Sequence, residues 1–403
     1  MTASPLRRIL LATLAILPAL STAAIAQDED AARDKKLAER RQEMDRLYTI
    51  GPTAARSIGY RITWQSSMKA PIKRMDIVGP DVYAIDHRNV MTRIDRANGS
   101  PVWSVTAADL NDTVWGVTEG MTPSKGLPWG QNEDDKLYVT TDPVVFTIDH
   151  ATGAVVGRQD LEQIPSTDVV RWRNYLIFGT RNGRVVWHQY VVGHEWRANQ
   201  LAGPIVAKPT LVGDNRLAVA SLGGNVLMLS AKSAGRVWGD KTFAAMKAPM
   251  TSGGGMLFAA SEDQYLWAFD ADRGNVKWRY FTESKLNTQP TYVVVRTPEG
   301  NEGRVLQWVD TEGLVCLEAD PENSIEGKTI WTNRDAVGEA IGLIGDRVAL
   351  WDESKRVLRT IDPAQGAIVD TIPLPQVKIL TMRDDVIYAT GDEGRIIRLD
   401  PIG

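Results

Sequence analysis

From Ile58 to the carboxyl terminus, short runs rich in valine, isoleucine, leucine, tryptophan and tyrosine alternate with turns of glycine, aspartate and asparagine, while helical periodicity fades. This pattern predicts an all-β fold of short strands. Ahead of it, Asp28 to Tyr48 is rich in charge and in good helix formers, with Asp28, Glu29 and Asp30 placed where a helix start favours acids. One solvent-facing helix is expected there, ended by Gly51-Pro52. Its apolar stripe of Leu37, Met44, Leu47 and Tyr48 is too thin to build a core. Such a helix is either a tether packed on its own domain or a docking helix for a partner.

Within the β region one phrase recurs. Asp95 to Gly99 to Trp103 and Asp270 to Gly274 to Trp278 share a spacing of four and four, each after an apolar strand. Asp149 with Gly153 and Asp362 with Gly366 repeat the first half, but Gly157 and Asp370 stand at the tryptophan position. Gly327 and Trp331 keep the second half. Trp196 and Trp238 follow Gly193 and Gly235 by three, and Trp64 follows Gly59 by five. The phrase predicts a strand, an aspartate-opened turn whose glycine takes positive φ, and an outer strand bearing a large aromatic. A ligand cage has no reason to recur along a chain, so these tryptophans read as packing handles between repeats.

A spacing of 39 residues from Trp64 to Trp103 and of 40 from Trp238 to Trp278 matches four short strands per propeller blade. Hairpin turns at Arg181-Asn182-Gly183, Gly223-Gly224-Asn225, Glu262-Asp263, Thr311-Glu312-Gly313, Asp352-Glu353 and Asp392-Glu393-Gly394 separate the second and third strands of six repeats. Inner strand sets are expected near 71–95, 129–149, 165–190, 204–230, 247–270, 287–320, 336–362 and 376–400. The eighth set has no outer strand after it, whereas Tyr60 to Trp64 resembles an outer strand with no inner strands before it. An eight-bladed β-propeller closed by this N-terminal strand follows, and closure removes the exposed sheet edges.

Arg7-Arg8, the apolar run Ile9 to Leu20 and the small-residue end Ala24-Ile25-Ala26 have the order of a signal peptide. The expected organisation is therefore a leader over 1–26, a charged helical tether over 27–57 and the propeller over 58–403. The expected product is exported to the periplasm or an equivalent space, without a transmembrane segment. No cysteine ends the leader, so no lipid anchor is expected, and the single Cys316 reads as a buried core thiol. Losing Arg7 and Arg8 with the leader takes the formal charge from −4 to −6, which gives no reason to expect a nucleic-acid partner.

Candidate chemistry is sparse. His188 and His194 lie six apart without a carboxylate cluster or third histidine nearby, and read as strand residues. His87 and His150 read as isolated turn residues. The run Ser252-Gly253-Gly254-Gly255 lacks the lysine and helix of a phosphate loop and reads as a turn. No catalytic, cofactor-binding or metal site is assigned. What remains is surface: the longest interblade loop, expected at about 107–131, carries Trp115, Met121 and Trp129 as candidate partner contacts. On the same face, Glu262, Asp263, Asp310, Glu312, Asp352, Glu353, Asp392 and Glu393 form an expected acidic arc over blades 5 to 8, with Arg88 and Arg181 across the ring. Acids suit turns, so the arc is either turn chemistry or an attraction for a basic partner.

The repeat resembles that of the pyrroloquinoline-quinone-like propeller family, of the form Ala-x-Asp-x-x-Thr-Gly-x-x-x-Trp. Ala268 to Trp278 is its best copy, with Arg273 in place of threonine. The resemblance covers about 58–403 and speaks for fold more than function. One branch, the quinoprotein alcohol dehydrogenases, implies a quinone beside calcium and commonly a vicinal disulfide, which a single cysteine excludes. The other, the periplasmic propeller of outer-membrane barrel assembly, resembles this chain in size and closing strand. It implies a non-enzymatic scaffold that binds protein partners in the cell envelope.

Overall fold

The computed structural model describes residues 33–121, 134–298 and 300–402. They form eight four-stranded sheets. Blades 1 to 7 span 72–106, 114–160, 170–200, 210–241, 251–281, 291–333 and 339–373, and blade 8 joins 377–401 to Tyr60–Ser67. The strands of each blade are lettered A to D from the channel outwards. Because successive strands reverse direction, A–B and C–D turns lie on one face, here the lower. B–C turns and the connections between blades lie on the upper face.

The closing strand is where the pattern placed it. Tyr60–Ser67 pairs antiparallel with Arg395–Pro401, Tyr60 opposite Pro401 and Ser67 opposite Arg395, with a bulge between Ile62 and Trp64. Inner strand set 2 is a correction. Its first strand is Val114–Glu119, so the blade 1–2 connection is only 107–113 and Trp115 belongs to a strand. Residues 120–135 follow as the A–B connection of blade 2. Trp129 and the expected leader over 1–26 lie outside the described residues.

The core is partitioned among the junctions between neighbouring blades. One cluster, for example, joins Met228 and Trp238 of blade 4 to Leu257, Trp267 and Phe269 of blade 5. The repeat explains how the junctions are fastened. Asp95, Asp149, Asp270 and Asp362 each open a C–D turn by accepting backbone N–H groups two or three residues on, at 2.7–2.9 Å. The carbonyl of the next residue then accepts the indole N–H of the preceding blade's strand-D tryptophan. Trp64 reaches Arg96 at 2.9 Å, while Trp103 reaches His150, Trp238 reaches Ala271 and Trp331 reaches Pro363, each at 3.0 Å. Trp278 docks likewise on the Ala319 carbonyl, at 3.0 Å.

Positive-φ glycine makes this docking possible. Gly153 has φ 75°, and a Cβ there would lie 2.6 Å from Cδ2 of Trp103. Gly99, Gly274 and Gly366 stand in the same relation to Trp64, Trp238 and Trp331. Hydrogen alone lets the indole lie flat on the turn.

Three junctions lack this contact, and each has a substitute. Between blades 2 and 3, where Gly157 replaces tryptophan, the Gln159 amide donates to the Tyr190 carbonyl at 2.6 Å. Between blades 7 and 8, where Asp370 stands, the eighth blade has no covalent C–D turn to dock on. Residues 48–58 fill that junction: Ile50, Ala55 and Ile58 are buried with Trp351, Leu358, Ile372 and Leu374. Pro52–Ser57 is a second short helix, so Gly51-Pro52 ends one helix and starts another. The longer helix, 33–47, is exposed along nearly all its length, including Leu37, Met44 and Leu47.

The third exception corrects the reading of Trp196. It is the bulge residue of its strand, and Arg197 pairs with Trp187 across the sheet. Trp187, on strand C, donates to the Ala231 carbonyl at 3.0 Å. Trp238 has the same short distance from its glycine yet docks normally, because Ala234, at φ 54°, takes the turn position one residue before Gly235.

Candidate partner-binding face

All eight acids of the expected arc lie in or beside the B–C turns of blades 5 to 8, on the upper face. Much of their charge is already answered within the ring. Glu262 pairs with Lys247 at 2.7 Å, and this hydrogen bond holds its carboxyl below the usual range. Burial would raise Asp352, but donation from Ser354, the Lys355 N–H and Arg359 outweighs it and leaves the group lowered. Asp392 is lowered first by its hydrogen bond from Arg356, with Lys378 also near, and Glu393 meets Arg395 at 3.3 Å.

The remaining acids mostly organise neighbouring groups. Asp263 accepts the Phe243 and Tyr265 N–H groups and the Trp267 indole. Asp310 accepts from the Trp308 indole at 3.2 Å, and Glu312 from the Tyr280 hydroxyl at 2.8 Å. Glu353 is exposed. The arc therefore exists as a line of turns, but its field is much weaker than eight free carboxylates would give.

Sequence reasoning missed the apolar feature of this face. Phe243, in the connection between blades 4 and 5, is 75 % exposed, and Phe281 at the upper end of strand D in blade 5 is 49 % exposed. They flank the Glu262-Asp263 turn. Phe243 meets Trp267 edge-on at 5.5 Å, Phe281 meets Tyr265 at 5.2 Å, and Arg279 lies 5.0 Å over Trp267. Nothing in the repeat flags Phe243, because it stands outside the strand-turn phrase.

The expected loop contacts do not gather here. Trp115 donates its indole N–H to Asp142 at 2.8 Å, and the Met121 N–H reaches the Tyr190 hydroxyl at 3.1 Å. Met121 itself follows strand A of blade 2 at the lower face.

His150 is tied into the blade 1–2 junction: its Nε2 lies 2.8 Å from Asp81, which is buried and also holds Arg93 at 2.9 Å. His188 is buried beside Gln159 at 2.9 Å, and loss of solvation, then the charge of His194, pushes its pKa down to about 4. Burial pushes the Cys316 thiol up to about 12. The Ser252 to Gly255 run makes room for the Tyr292 ring, which a Cβ at Gly253 would overlap.

The donor set does not suit a quinone held beside calcium. Among the described residues no group of three or more histidine, cysteine, aspartate or glutamate side chains could hold a metal ion. The carboxylates of Asp76 and Asp168 are both committed to Arg74, at 2.7 and 2.8 Å. No described helix is long and apolar enough to cross a membrane.

Residues 175–315 match the family model described as outer membrane protein assembly factor BamB. No curated protein matches the chain in sequence. Among solved structures, BamB from Moraxella catarrhalis is similar at 16% identity and a TM-score of 0.63, over 85% of this chain and 97% of that one. The computationally designed Ika8 protein is similar at 11% identity and a TM-score of 0.59, over 83% and 97%. At such identities the structural likeness shows the fold alone. With its repeat phrase, eight blades and N-terminal closing strand, the chain is an eight-bladed β-propeller, similar to the BamB family model over 175–315 and to BamB in fold.

Proposed function

We propose that this chain is an exported, non-enzymatic propeller scaffold that holds protein partners on its upper face, in outer-membrane or cell-envelope protein assembly. The observation that carries the reading is the pair Phe243 and Phe281, exposed on either side of the Glu262-Asp263 turn. Aromatic side chains left in water beside a rigid, hydrogen-bonded turn have the composition of interface hot spots. The leader pattern over 1–26 supports export, and the matched family description supports the setting. The lack of a three-ligand metal cluster among the described residues supports a scaffold over a quinoprotein dehydrogenase.

Crosslinking and recovery from the envelope fraction, with the full chain, tests this. Phe243→Ala with Phe281→Ala is expected to lose the partner recovered by the parent chain while the unfolding midpoint stays put. Glu353→Lys, an exposed charge reversal, is expected to weaken recovery less. Asp352 is a poor choice for reversal, since it is 4% exposed and holds Arg359. Unchanged recovery by the double phenylalanine variant rejects the upper face, and bound quinone reducible by an alcohol overturns the non-enzymatic reading.

A further inference from the structure

The lower face of blade 3 carries a feature with no role in the reading above. Arg173 lies 4.9 Å over the Trp172 ring, Trp172 stacks on Tyr175 at 6.2 Å, Tyr175 meets Trp196 at 4.9 Å, and Arg197 lies 4.8 Å over Trp196. Three rings thus form a ladder with a guanidinium at each end. Both arginines are exposed, while the rings are buried or half-buried against blade 4.

The local charge is predominantly positive. Among the described residues neither Arg173 nor Arg197 has an ion pair, and the only hydrogen bond from either side chain is Arg197 to the Ser233 carbonyl at 3.0 Å. The neighbouring carboxylates do not answer them. Glu195 pairs with Arg184 at 3.5 Å, and the exposed Asp214, whose backbone carbonyl takes the Trp172 indole, has no ion pair with either arginine among the described residues. Lys232, in the adjoining turn of blade 4, adds a third exposed cation. In a chain of formal charge −4 this island is positive by local arrangement.

The backbone gives a second indication. Arg173 sits at φ 51° in the A–B turn, where blades 4, 5 and 7 place Gly213, Gly254 and Gly345 at φ 58–63°. A long cationic side chain is held where left-handed geometry favours glycine.

We propose that this ladder is a docking surface for an acidic segment of a partner protein. Carboxylates would meet the open guanidinium of Arg173 and the remaining donors of Arg197, and an apolar side chain would lie along the Tyr175 and Trp196 rings. The surface is independent of the upper face, so the two readings fail separately.

The test uses the full exported chain and fluorescence anisotropy with a short labelled peptide alternating glutamate and phenylalanine. A lysine-phenylalanine peptide and phosphatidylglycerol vesicles serve as competing probes. The acidic peptide is expected to bind, and to bind more weakly as salt rises. Arg173→Gly, which suits the turn and keeps the fold, is expected to weaken binding about fivefold, equivalent to about 1 kcal/mol. Arg173→Glu with Arg197→Glu should abolish it, and Phe243→Ala should leave it unchanged. No binding, equal binding by Arg173→Gly, equal binding of the lysine peptide, or binding of vesicles in preference to the peptide would each overturn the proposal.

Discussion

The junction between blades 1 and 2 and that between blades 3 and 4 use the same two residue types on exchanged strands. At the first, Arg93 on strand C stands opposite Trp103 on strand D, and both donate to the His150 carbonyl, at 2.8 and 3.0 Å. At the second, Trp187 is on strand C and Arg197 on strand D, again opposite one another. There the indole takes the Ala231 carbonyl and the guanidinium takes Ser233 two residues on. What recurs is an acceptor carbonyl one residue into the turn and a cross-strand pair able to reach it. Which strand supplies the tryptophan is free to change.

The largest expected effect separates the two tryptophans of blade 3. Trp187 is fully buried with its N–H satisfied, so Trp187→Ala should cost about 3–5 kcal/mol, read as a shift in the urea unfolding midpoint. Trp196 is half-exposed and packs only at the edge of the cluster that holds Trp187, beside Tyr175 and Arg197, so Trp196→Ala should cost clearly less, about 1–2 kcal/mol. Equal losses would mean that the exchange of strands is not what fastens this junction.

The blade 2–3 junction differs in using His188 and Gln159, and its signature should be pH dependence. The folded pKa of His188 is lowered to about 4, below the ordinary 6.5. As pH falls through that window the unfolded chain takes up a proton that the folded chain refuses. Stability therefore declines, by roughly 2–3 kcal/mol at about pH 4.5. His188→Gln should flatten this slope relative to the parent chain, and an unchanged profile would place the acid sensitivity elsewhere.

These junctions also show what the sequence makes legible. Blade number and closure could be read because the Asp-Gly-Trp phrase is local, spanning about nine residues whose turn chemistry is set by neighbours. Trp196 was misread and Trp187 overlooked because a one-residue shift relative to the bulge depends on cross-strand register, which spacing along the chain does not encode. Strand A of blade 2 was missed because Val114–Glu119 stands apart from its hairpin partner, behind an insertion. The acidic arc was placed on the right face, but its neutralising partners, Lys247, Arg356 and Arg359, come from other turns and strands. Phe243 belongs to no periodic pattern, so only its exposure reveals it.

The smallest expected effect tests the exchange itself. Ala234 occupies the left-handed position of the blade 4 turn, at φ 54°, where four of the five turns receiving strand-D tryptophans keep glycine, at Gly99, Gly153, Gly274 and Gly366. At this junction the docking indole comes from strand C, as Trp187, while strand D presents Arg197, whose guanidinium reaches the Ser233 carbonyl beside Ala234. Arg197→Trp alone should then crowd both Trp187 and the Ala234 methyl and cost about 2 kcal/mol. In the Ala234→Gly background the methyl is gone, and about 1 kcal/mol of that loss should return as coupling in a double-mutant cycle. Ala234→Gly by itself should change little, since relief of left-handed strain offsets the added freedom of the unfolded chain. A cycle that closes with no coupling would show that the glycines elsewhere serve the turn alone, and that the tryptophans merely happen to lie against them.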